Sequence, residues 1–531
     1  MPTTRAPLGV LSRKNALVST RTPEQPEPPA SGSQPDAPLP EAATPRSGAR
    51  PTWSALRRLL LRLHFYAGIL IAPFVVIAAV TGLMYVYTPQ LEQALYAEQL
   101  RVEPSDGAVS LERQAAAAAR AHPDAELSAV RPAEAPDEST RVLMSADGLP
   151  DGYLLAVFVD PHDGTVLGDL TSYGSSSSLP VRSWLAELHR SLHLGDAGRL
   201  YSELAASWLW VVALGGVVLW TARRRSERRL RRTLLPDASA TGRARTMSWH
   251  GSVGVWALAG LALITATGLT WSQYAGANVT QIREAFDWQT PSLSAADHTE
   301  HAAHEDHTGH EGDEGHGGHT GHEGHGGHGV SATDLDGALA AARSAGLDGP
   351  VEVGVPVAEG APYTVKETAR SWPVQQDQVA VDAVDGTVVE ELRFDDFPLM
   401  AKLSNWGIGF HMGLLFGLPN QLLLTALALS VPAMVFWGYR MWWQRRPTRN
   451  GSFALGRPVP RGAGRALPWW CVALIAACAV GVGVLVPVLG VSLLCFLAVD
   501  AAVGLLQRRR DRPHASAAPP STPPSGSELG R

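Results

Sequence analysis

The stretch His64-Phe65-Tyr66-Ala67-Gly68 opens a long apolar run, and Thr81-Gly82 lies near the end of that run. The stretch His250-Gly251-Ser252-Val253-Gly254 opens another apolar run, in which Thr267-Gly268 lies at the same offset. Each residue of the second copy follows its counterpart by 186 positions. The match predicts an internal duplication in which a histidine precedes the same membrane helix twice.

A second pair of histidines repeats with a different offset. His189 heads the segment HRSLHLG at 189–195, and His411 heads HMGLLFG at 411–417, which is 222 residues later. Each predicted half therefore has one histidine before its first helix and one before its second. Ionisable side chains at membrane depth are costly and indicate function. A neutral imidazole is also a common ligand of haem iron.

The composition is that of a multi-pass membrane protein. Of 531 residues, 45% are hydrophobic and 18% are charged, and the two kinds are segregated along the chain. Apolar stretches of about 20 residues can span the hydrocarbon core of a bilayer. Six stretches are predicted to do so, near 65–88, 200–221, 251–274, 420–443, 468–486 and 490–507. All three cysteines lie in the last two stretches, so no disulfide framework is expected.

Clusters of arginine set the expected topology. They precede the first helix and follow the second, fourth and sixth, within 57–62, 223–232, 440–449 and 508–510. Short loops rich in Arg and Lys remain cytoplasmic, so both termini are expected inside and segments 89–199 and 275–419 outside. The membrane explains these clusters, and no nucleic-acid partner is expected. Asp500, inside the last apolar run, is either a functional acid or, near the Arg508 cluster, a residue that snorkels to the interface or forms a local salt bridge.

Each outer segment has the same pattern of an alanine-rich helix followed by strands. In the first segment, a strand at 153–159 leads through Asp163-Gly164 into another strand, and in the second a strand at 378–382 leads through Asp385-Gly386. A strand, an Asp-Gly turn and a second strand are typical of a β-hairpin. Both hairpins read V-D-x-x-D-G-T-V, again 222 residues apart. Their aspartates are expected to form turns and not to catalyse a reaction.

These features resemble the PepSY-associated transmembrane proteins of bacteria over roughly residues 55–445. The resemblance rests on the His-x3-Gly…Thr-Gly helices, on the His-x5-Gly segments, and on the V-D-x-x-D-G-T-V hairpins, which look like those of PepSY domains. Some members of that family are inner-membrane ferric-siderophore reductases that hold two b-type haems. The resemblance therefore implies a bacterial inner-membrane protein that transfers electrons to an acceptor outside.

We therefore expect a mainly α-helical integral membrane protein with an internally duplicated four-helix core, a C-terminal helix pair and two small α+β, PepSY-like extracytoplasmic domains. The expected segments are a disordered cytoplasmic tail (1–52), the first membrane helix (53–90), the first PepSY-like domain (91–180), an interfacial helix with the second membrane helix (181–222), a basic cytoplasmic loop (223–247), the third membrane helix (248–276), a His-rich outer loop (277–330), the second PepSY-like domain (331–400), an interfacial helix with the fourth membrane helix (401–444), a cytoplasmic loop (445–466), a helical hairpin (467–507) and a second disordered tail (508–531).

Topology sorts the four repeated histidines into two layers. His64 and His250 are expected near the cytoplasmic face, and His189 and His411 near the outer face. Facing helices can supply the two axial ligands of a six-coordinate haem, so we expect one b-type haem in each layer. His193, one helical turn after His189, is an alternative ligand or a contact of a haem propionate. The simpler alternative is that these are interfacial histidines that bind nothing.

Other residues are expected to support the haems. Gly68, Gly254 and Gly413 would let a flat macrocycle approach a helix closely. Arg199 and Trp184 could contact the propionates of an outer haem, although ordinary anchoring at the membrane interface explains them equally well.

The tract from His298 to His328 is a second candidate site. It holds ten of the 18 histidines among Gly, Glu and Asp, and glycine this dense excludes a stable helix. Such a loop suits Cu(II), Zn(II), Ni(II) or iron, with Cu(II) favoured by affinity; the alternative is a solvated linker with incidental metal affinity. The candidate divalent-metal ligands are His298, His301, His304, His307, His310, His316, His319, His322, His325 and His328.

The leading functional hypothesis is a haem protein of the membrane that passes electrons outward and reduces a ferric chelate, such as a siderophore complex, or Cu(II) in metal acquisition. One alternative is a non-enzymatic, membrane-anchored metal-binding accessory of uptake, and another is a PepSY-type regulator. The partners expected for a reductase are the lipid bilayer, an external metal or metal chelate, and a cytoplasmic or quinol electron donor.

Overall fold

The computed structural model describes residues 51–224, 234–294, 334–356, 358, 360–445 and 467–511. Long apolar helices alternate in the chain with segments that form a β-sheet. The α-helices are α1 (Pro51–Val86), α2 (Thr88–Leu95), α3 (Ala97–Leu100), α4 (Leu111–Ala121), α5 (Pro180–Ser191), α6 (Gly195–Arg224), α7 (Gly242–Thr270), α8 (Tyr274–Ala285), α9 (Leu335–Ser344), α10 (Leu399–His411), α11 (Leu418–Trp443), α12 (Trp469–Leu485) and α13 (Pro487–Asp511).

Within the described residues, five helices are long and apolar enough to cross a membrane. They are α1, α6, α7, α11 and α13. The helix α12 is also apolar, but at 17 residues it is shorter than the roughly 20 that span a hydrocarbon core. The expectation of a multi-pass, mainly helical membrane protein is therefore confirmed, whereas the predicted fifth crossing is a shorter helix than expected.

The first membrane helix begins earlier than its apolar run. α1 starts at Pro51, because the segment before the run contains helix-forming Leu and Arg residues. His64 therefore lies inside α1, and His250 lies inside α7, which starts at Gly242. The expectation that these histidines precede their helices is wrong, while His189 and His411 do lie near the ends of the short helices α5 and α10.

Four of the membrane helices form a bundle. α1 packs on α6, α6 on α7, α7 on α11, and α11 on α1, so the four form a closed ring. Small and branched apolar side chains fill its interior, including Ala67, Ile71, Leu261 and Val431. This bundle is the frame that holds the four repeated histidines.

The last two described helices attach to the outside of this bundle. The Trp208 indole on α6 donates a hydrogen bond to the Ser492 hydroxyl on α13 at 2.8 Å. Asp500 on α13 forms an ion pair with Arg62 on α1. Of the two sequence interpretations of Asp500, the ion pair is therefore favoured, with its partner on a different helix from the one expected.

The strands from both outer segments join in one antiparallel sheet in the order β4-β3-β2-β1-β5-β6-β7-β8. The strands are β1 (Glu126–Arg131), β2 (Thr140–Ser145), β3 (Tyr153–Val159), β4 (Val166–Tyr173), β5 (Val351–Gly354), β6 (Tyr363–Glu367), β7 (Gln378–Val381) and β8 (Val388–Leu392). The junction is formed by β1 and β5, where Ala129 lies opposite Gly354 and Val130 opposite Val353. The two predicted domains thus share a sheet.

The helices α4 and α9 cover one face of this sheet. Their apolar side chains pack with those of the strands in a continuous core. Ser110 and Asp334 cap the two helices by accepting hydrogen bonds from backbone N–H groups of the first turns. The hairpin aspartates have the expected role, because Asp163 and Asp385 each accept a backbone hydrogen bond within the turn.

Candidate functional site

The four repeated histidines form two pairs inside the bundle. We call His64 and His250 the inner pair and His189 and His411 the outer pair, after their predicted sides of the membrane. The ring centres of the inner pair are 6.3 Å apart, with an angle of 84° between the ring planes. Those of the outer pair are 6.4 Å apart, with an angle of 66°. The fold therefore brings together the same pairs that the sequence offsets indicate.

The ring separations suit one metal ion between each two imidazoles. A metal–imidazole bond is about 2.0–2.1 Å long and the ring centre lies about 1.1 Å beyond the nitrogen, so two imidazoles on opposite sides of one metal have centres about 6.3 Å apart. Two neutral rings that only pack against each other have no reason to adopt the same separation in both pairs. The ring separations thus fit one metal ion that both imidazoles of a pair would hold.

Main-chain carbonyls orient the inner pair. The His64 Nδ1 donates to the Val212 carbonyl on α6 at 2.9 Å. The His250 Nδ1 donates to the Met434 carbonyl on α11 at 3.0 Å. A carbonyl oxygen can only accept, so the proton is on Nδ1 and the lone pair of Nε2 is available to a metal.

Threonine hydroxyls orient the outer pair. His189 Nδ1 lies 2.9 Å from the Thr81 hydroxyl, which donates its own proton to the Ile77 carbonyl. His411 Nδ1 lies 2.6 Å from the Thr267 hydroxyl, which donates to a carbonyl one turn earlier in α7 in the same way. Each hydroxyl must therefore accept from its histidine, which again leaves Nε2 unprotonated.

Glycines give the histidine rings their space. A Cβ atom at Gly82 would lie 3.1 Å from Cε1 of His189, and one at Gly216 would lie 3.1 Å from Cε1 of His64. The Thr-Gly pair that repeats in the sequence thus contacts the ring of the outer histidine. The offset of 222 also relates Val212 to Met434 and Gly216 to Gly438, a signal that sequence reasoning missed.

The glycines that the sequence singled out have other surroundings. Gly68 has open space where a side chain would be, Gly254 faces the sulfur of Met434, and Gly413 follows α10 with a φ of +78°. That backbone conformation strongly favours glycine at a helix end. None of these contacts tests the predicted approach of a macrocycle, which stays a prediction.

His193 occupies a different environment from His189. Its ring stacks on Trp184, with 4.9 Å between ring centres, whereas the ring of His189 lies opposite His411. Trp184 itself is exposed, and Arg199 is half-buried in the first turns of α6. The geometry favours His189 over His193 as the partner of His411.

Buried donors lie near both pairs. The Trp220 indole N–H and the Arg243 Nε are buried and have no hydrogen-bond partner among the described residues. Arg243 precedes His250 by seven residues, so it lies on the same face of α7 two turns away. The Arg182 Nε has the same position relative to His189 and is likewise buried without a partner in the described part of the chain. These donors were not among the sequence candidates.

An apolar cavity adjoins the inner pair. It has a volume of about 250 Å³, lies between α1 and α6, and is lined by His64, Leu60, Leu63, Trp210 and Val218. Of the inner pair only His64 lines this cavity, and the other lining side chains are apolar. Apolar walls of this kind suit a hydrophobic ligand better than a hydrated ion.

The ten histidines from His298 to His328 lie outside the described residues. Within the described ranges, no three or more His, Cys, Asp or Glu side chains come together as a metal site. Metal binding by the His-rich tract stays a prediction.

A known family matches most of the chain. The model of the PepSY-associated TM region matches residues 61–445, which span the bundle, the sheet and all four paired histidines. No curated protein matches the chain.

Proposed function

Since the chain belongs to the PepSY-associated transmembrane family, we propose that it is a membrane electron-transfer protein that holds two b-type haems and reduces a metal chelate outside the membrane. The observation that carries this proposal is the repeated pair geometry. Two histidine pairs have ring centres 6.3 and 6.4 Å apart, and all four Nδ1 atoms are already engaged in hydrogen bonds.

The inner pair would ligate one haem and the outer pair the other. Bound haem would supply one-electron chemistry, because its iron alternates between Fe(III) and Fe(II). The hydrogen bonds to Nδ1 fix the tautomer of each ligand and raise its basicity. The Val212 and Met434 carbonyls do so for the inner pair, whereas Thr81 and Thr267 do so for the outer pair.

The buried donors suit the carboxylates of haem propionates. Arg243 and Trp220 offer N–H groups near the inner pair. Arg182, whose guanidinium already forms an ion pair with Glu92 at 3.0 Å, offers its Nε on the helix of His189. A buried donor without a partner costs free energy of about 1–3 kcal/mol, and a propionate oxygen would remove that cost. Binding to propionates would explain why these donors are buried without a hydrogen-bond partner, which packing alone does not explain.

The reaction needs a reductant on the inner side and an oxidant on the outer side. A quinol or a reduced cytoplasmic carrier would supply the electrons, and a quinol would release two protons with its two electrons. Each electron would convert one Fe(III) in an external chelate to Fe(II), or one Cu(II) to Cu(I). The paired histidines hold the electron path but exchange no protons in this scheme, since all four Nδ1 protons are already donated to oxygens.

A single-turnover experiment tests this function. The purified, haem-loaded chain is reduced with dithionite under anaerobic conditions, freed of excess reductant and mixed with ferric citrate. We expect rapid reoxidation of the haem absorbance together with one Fe(II) released per haem oxidised. The His411→Ala variant is the matched control, in which transfer to the chelate should be lost. Haem that stays reduced in the presence of ferric citrate contradicts the proposal.

A further inference from the structure

The turn between β3 and β4 carries a histidine whose two ring nitrogens both face carbonyl oxygens. His162 Nδ1 lies 2.7 Å from the Gly107 carbonyl oxygen, and His162 Nε2 lies 2.9 Å from the Pro136 carbonyl oxygen. A carbonyl oxygen can only accept a hydrogen bond, so each nitrogen must carry a proton. A neutral imidazole has one N–H group, whereas the imidazolium has two. The geometry at His162 therefore requires the charged form of the ring.

The hairpin turn itself does not need this histidine. The offset of 222 places Val384 at the equivalent position of the turn between β7 and β8. Asp160 accepts a hydrogen bond from the His162 backbone N–H at 2.8 Å, and Asp382 accepts the same bond from Val384 at 2.7 Å. The Val384 side chain is 69% exposed. The two hydrogen bonds of the His162 ring are therefore an addition to a turn that forms without them.

The His162 ring joins three segments of the first outer region. One is its own turn, at 160–165. The second is the stretch 101–110 between α3 and α4, which contains Gly107 and which we call the linker. The third is the loop between β1 and β2, at 132–139, which contains Pro136. A single side chain thus connects the linker to the edge of the sheet and to a neighbouring loop.

Backbone hydrogen bonds fix the two ends of the linker. The Val102 N–H donates to the Asp137 carbonyl at 3.1 Å, and the Val109 N–H donates to the Pro161 carbonyl at 2.7 Å. Between these points, residues 103–108 are exposed. Exposed segments with few packed side chains open most easily. The contact of His162 with Gly107 therefore acts on the part of the linker that packing holds least.

The charges on the three segments favour a cation at His162. Arg101 forms ion pairs with Asp137 and Glu138, and Arg113 of α4 donates to the Asp163 carbonyl at 3.4 Å. The backbone N–H of Thr165 lowers the pKa of Asp163, which therefore stays ionised beside the ring. Acids outnumber these two arginines, since the three segments carry Glu103, Asp106, Glu134, Asp137, Glu138, Asp160 and Asp163.

The same contacts fix the direction in which pH acts. The hydrogen bonds to the Gly107 and Pro136 carbonyls raise the pKa of His162 above its ordinary value of 6.5, and Asp160 and Asp163 add to the rise. The folded chain thus holds a proton that the unfolded chain releases. The stabilisation is complete below pH 6.5 and is lost as the pH rises through the higher pKa of the folded state.

We propose that His162 is a pH-sensitive clamp, which holds the linker and the β1–β2 loop on the hairpin turn in acid and loosens them in alkali. The neutral ring keeps one N–H group and can hold only one of the two carbonyls. The second outer region has Val384 in this place, so its turn should not respond in this way. The inference does not rest on the proposed electron transfer, because neither haem nor metal takes part in the clamp.

The titration of His162 can be measured on the unmodified, full-length chain. Deuterium exchange at the imidazole C2 position, followed by mass spectrometry across a pH series, gives the protonation midpoint of an individual histidine. A peptide of residues 154–170 contains His162 and no other histidine. We expect its midpoint to be higher in the folded chain than in the same chain unfolded in urea. This measurement does not depend on whether any variant folds.

Amide deuterium exchange in the linker tests the clamp itself. After correction for the intrinsic pH dependence of exchange, the amides of residues 102–109 should be less protected at pH 8.5 than at pH 5.5. His162→Val copies the second repeat and should give the lower protection at both pH values. Burial raises the pKa of Glu112 and of Glu134, which lie near the linker in sequence or on the β1–β2 loop. Glu112→Gln and Glu134→Gln are therefore the controls, and both should keep the pH response.

Three results overturn the inference. The first is a His162 midpoint in the folded chain that is equal to or below the midpoint in the unfolded chain. The second is linker protection that does not change between the two pH values. The third is a pH response that persists in His162→Val, and its loss in Glu134→Gln would then assign the response to Glu134. The clamp stands if His162→Val alone abolishes the response, whether or not the chain holds haem.

Discussion

The inner and outer pairs share one geometry but differ in what holds it. Their ring centres are separated by 6.3 and 6.4 Å, yet the inner imidazoles donate to main-chain carbonyls and the outer ones to threonine hydroxyls. A carbonyl cannot be removed by changing a side chain, whereas a hydroxyl can. The inner pair is therefore controlled by helix packing, and the outer pair can be tuned by a single residue.

The largest expected effect is the loss of one haem with retention of the other. His64→Ala or His250→Ala should remove one haem and leave the other, because an axial ligand is lost from the inner pair alone. His189→Ala or His411→Ala should remove the other haem. Reduced-minus-oxidised absorbance spectra and haem quantification measure the result, with His193→Ala as the control that should retain both haems. Loss of both haems in every variant would break the assignment to separate pairs.

Filling the space beside one ring should act on one pair only. Gly216→Val would push a side chain against His64, since even a Cβ atom would lie 3.1 Å from its Cε1. We expect loss of most of the inner haem and an unchanged outer haem. Gly438→Val is the matched control, because Gly438 lies at the equivalent position of α11 and a Cβ atom there would have no neighbouring atom within 4 Å. Equal haem loss in both variants would contradict this expectation.

Removing a hydroxyl should weaken only the outer pair. Thr81→Val and Thr267→Val keep the side-chain shape but remove the hydroxyls beside Nδ1 of His189 and His411. His411 then loses its acceptor, whereas His189 retains the Ala78 carbonyl, so Thr267→Val should have the larger effect. Loss of such an orienting partner typically costs 10- to 100-fold in metal affinity. Titration with haem should show this loss at one of two sites. Thr265→Val should show none, because the Thr265 hydroxyl donates to the Leu261 carbonyl of the same helix and the described structure gives it no bond to a histidine. A change at the inner site would contradict the prediction.

The smallest expected effect lies between α4 and α9, the two helices that cover the sheet, away from both pairs. Burial, with a side-chain hydrogen bond to Asp336, raises the pKa of Glu112 from 4.5 to about 7. The folded chain thus holds a proton that the unfolded chain releases, so its stability falls as the pH rises through about 7. Because Glu112 is only half-buried, we expect less than about 1 kcal/mol.

Glu112→Gln should remove that pH dependence, since the amide keeps a donor toward Asp336 and carries no charge. Thermal unfolding of the full-length chain at pH 5.5 and 8.5 measures it, with the exposed Glu126→Gln as control. A wild-type chain that gains stability relative to Glu112→Gln at the higher pH would reverse the predicted sign. Both haem spectra should be unaffected.

The pairing of the histidines could be predicted from the sequence because the two repeats have the same residue types at corresponding positions. Offsets of 186 and 222 relate His64 to His250 and His189 to His411. The Thr-Gly motif was visible for the same reason, but its contact with His189 was not, since that contact joins residues 108 positions apart. The carbonyl acceptors have no residue signature, because every residue type has a main-chain carbonyl. Only the offset of 222 between Val212 and Met434 points to them.

The shared sheet could not be predicted from the sequence for a different reason. The alternating patterns of 153–159 and 378–382 predict hairpins, but the pairing of β1 with β5 joins strand edges that carry no residue signature. The ion pair between Arg131 and Glu352 crosses that junction and was therefore hidden as well. Similarly, the apolar run begins near residue 65 although α1 begins at Pro51, because hydropathy marks a membrane core and not the end of a helix.

The most direct test of haem ligation by the two pairs is the haem content of the purified full-length chain, expressed with ample haem supply. We predict two b-type haems per chain by the pyridine haemochromogen assay, both low-spin as expected for two axial imidazoles. A preparation of folded protein without a Soret band, or with one haem that survives loss of any single paired histidine, would contradict this prediction.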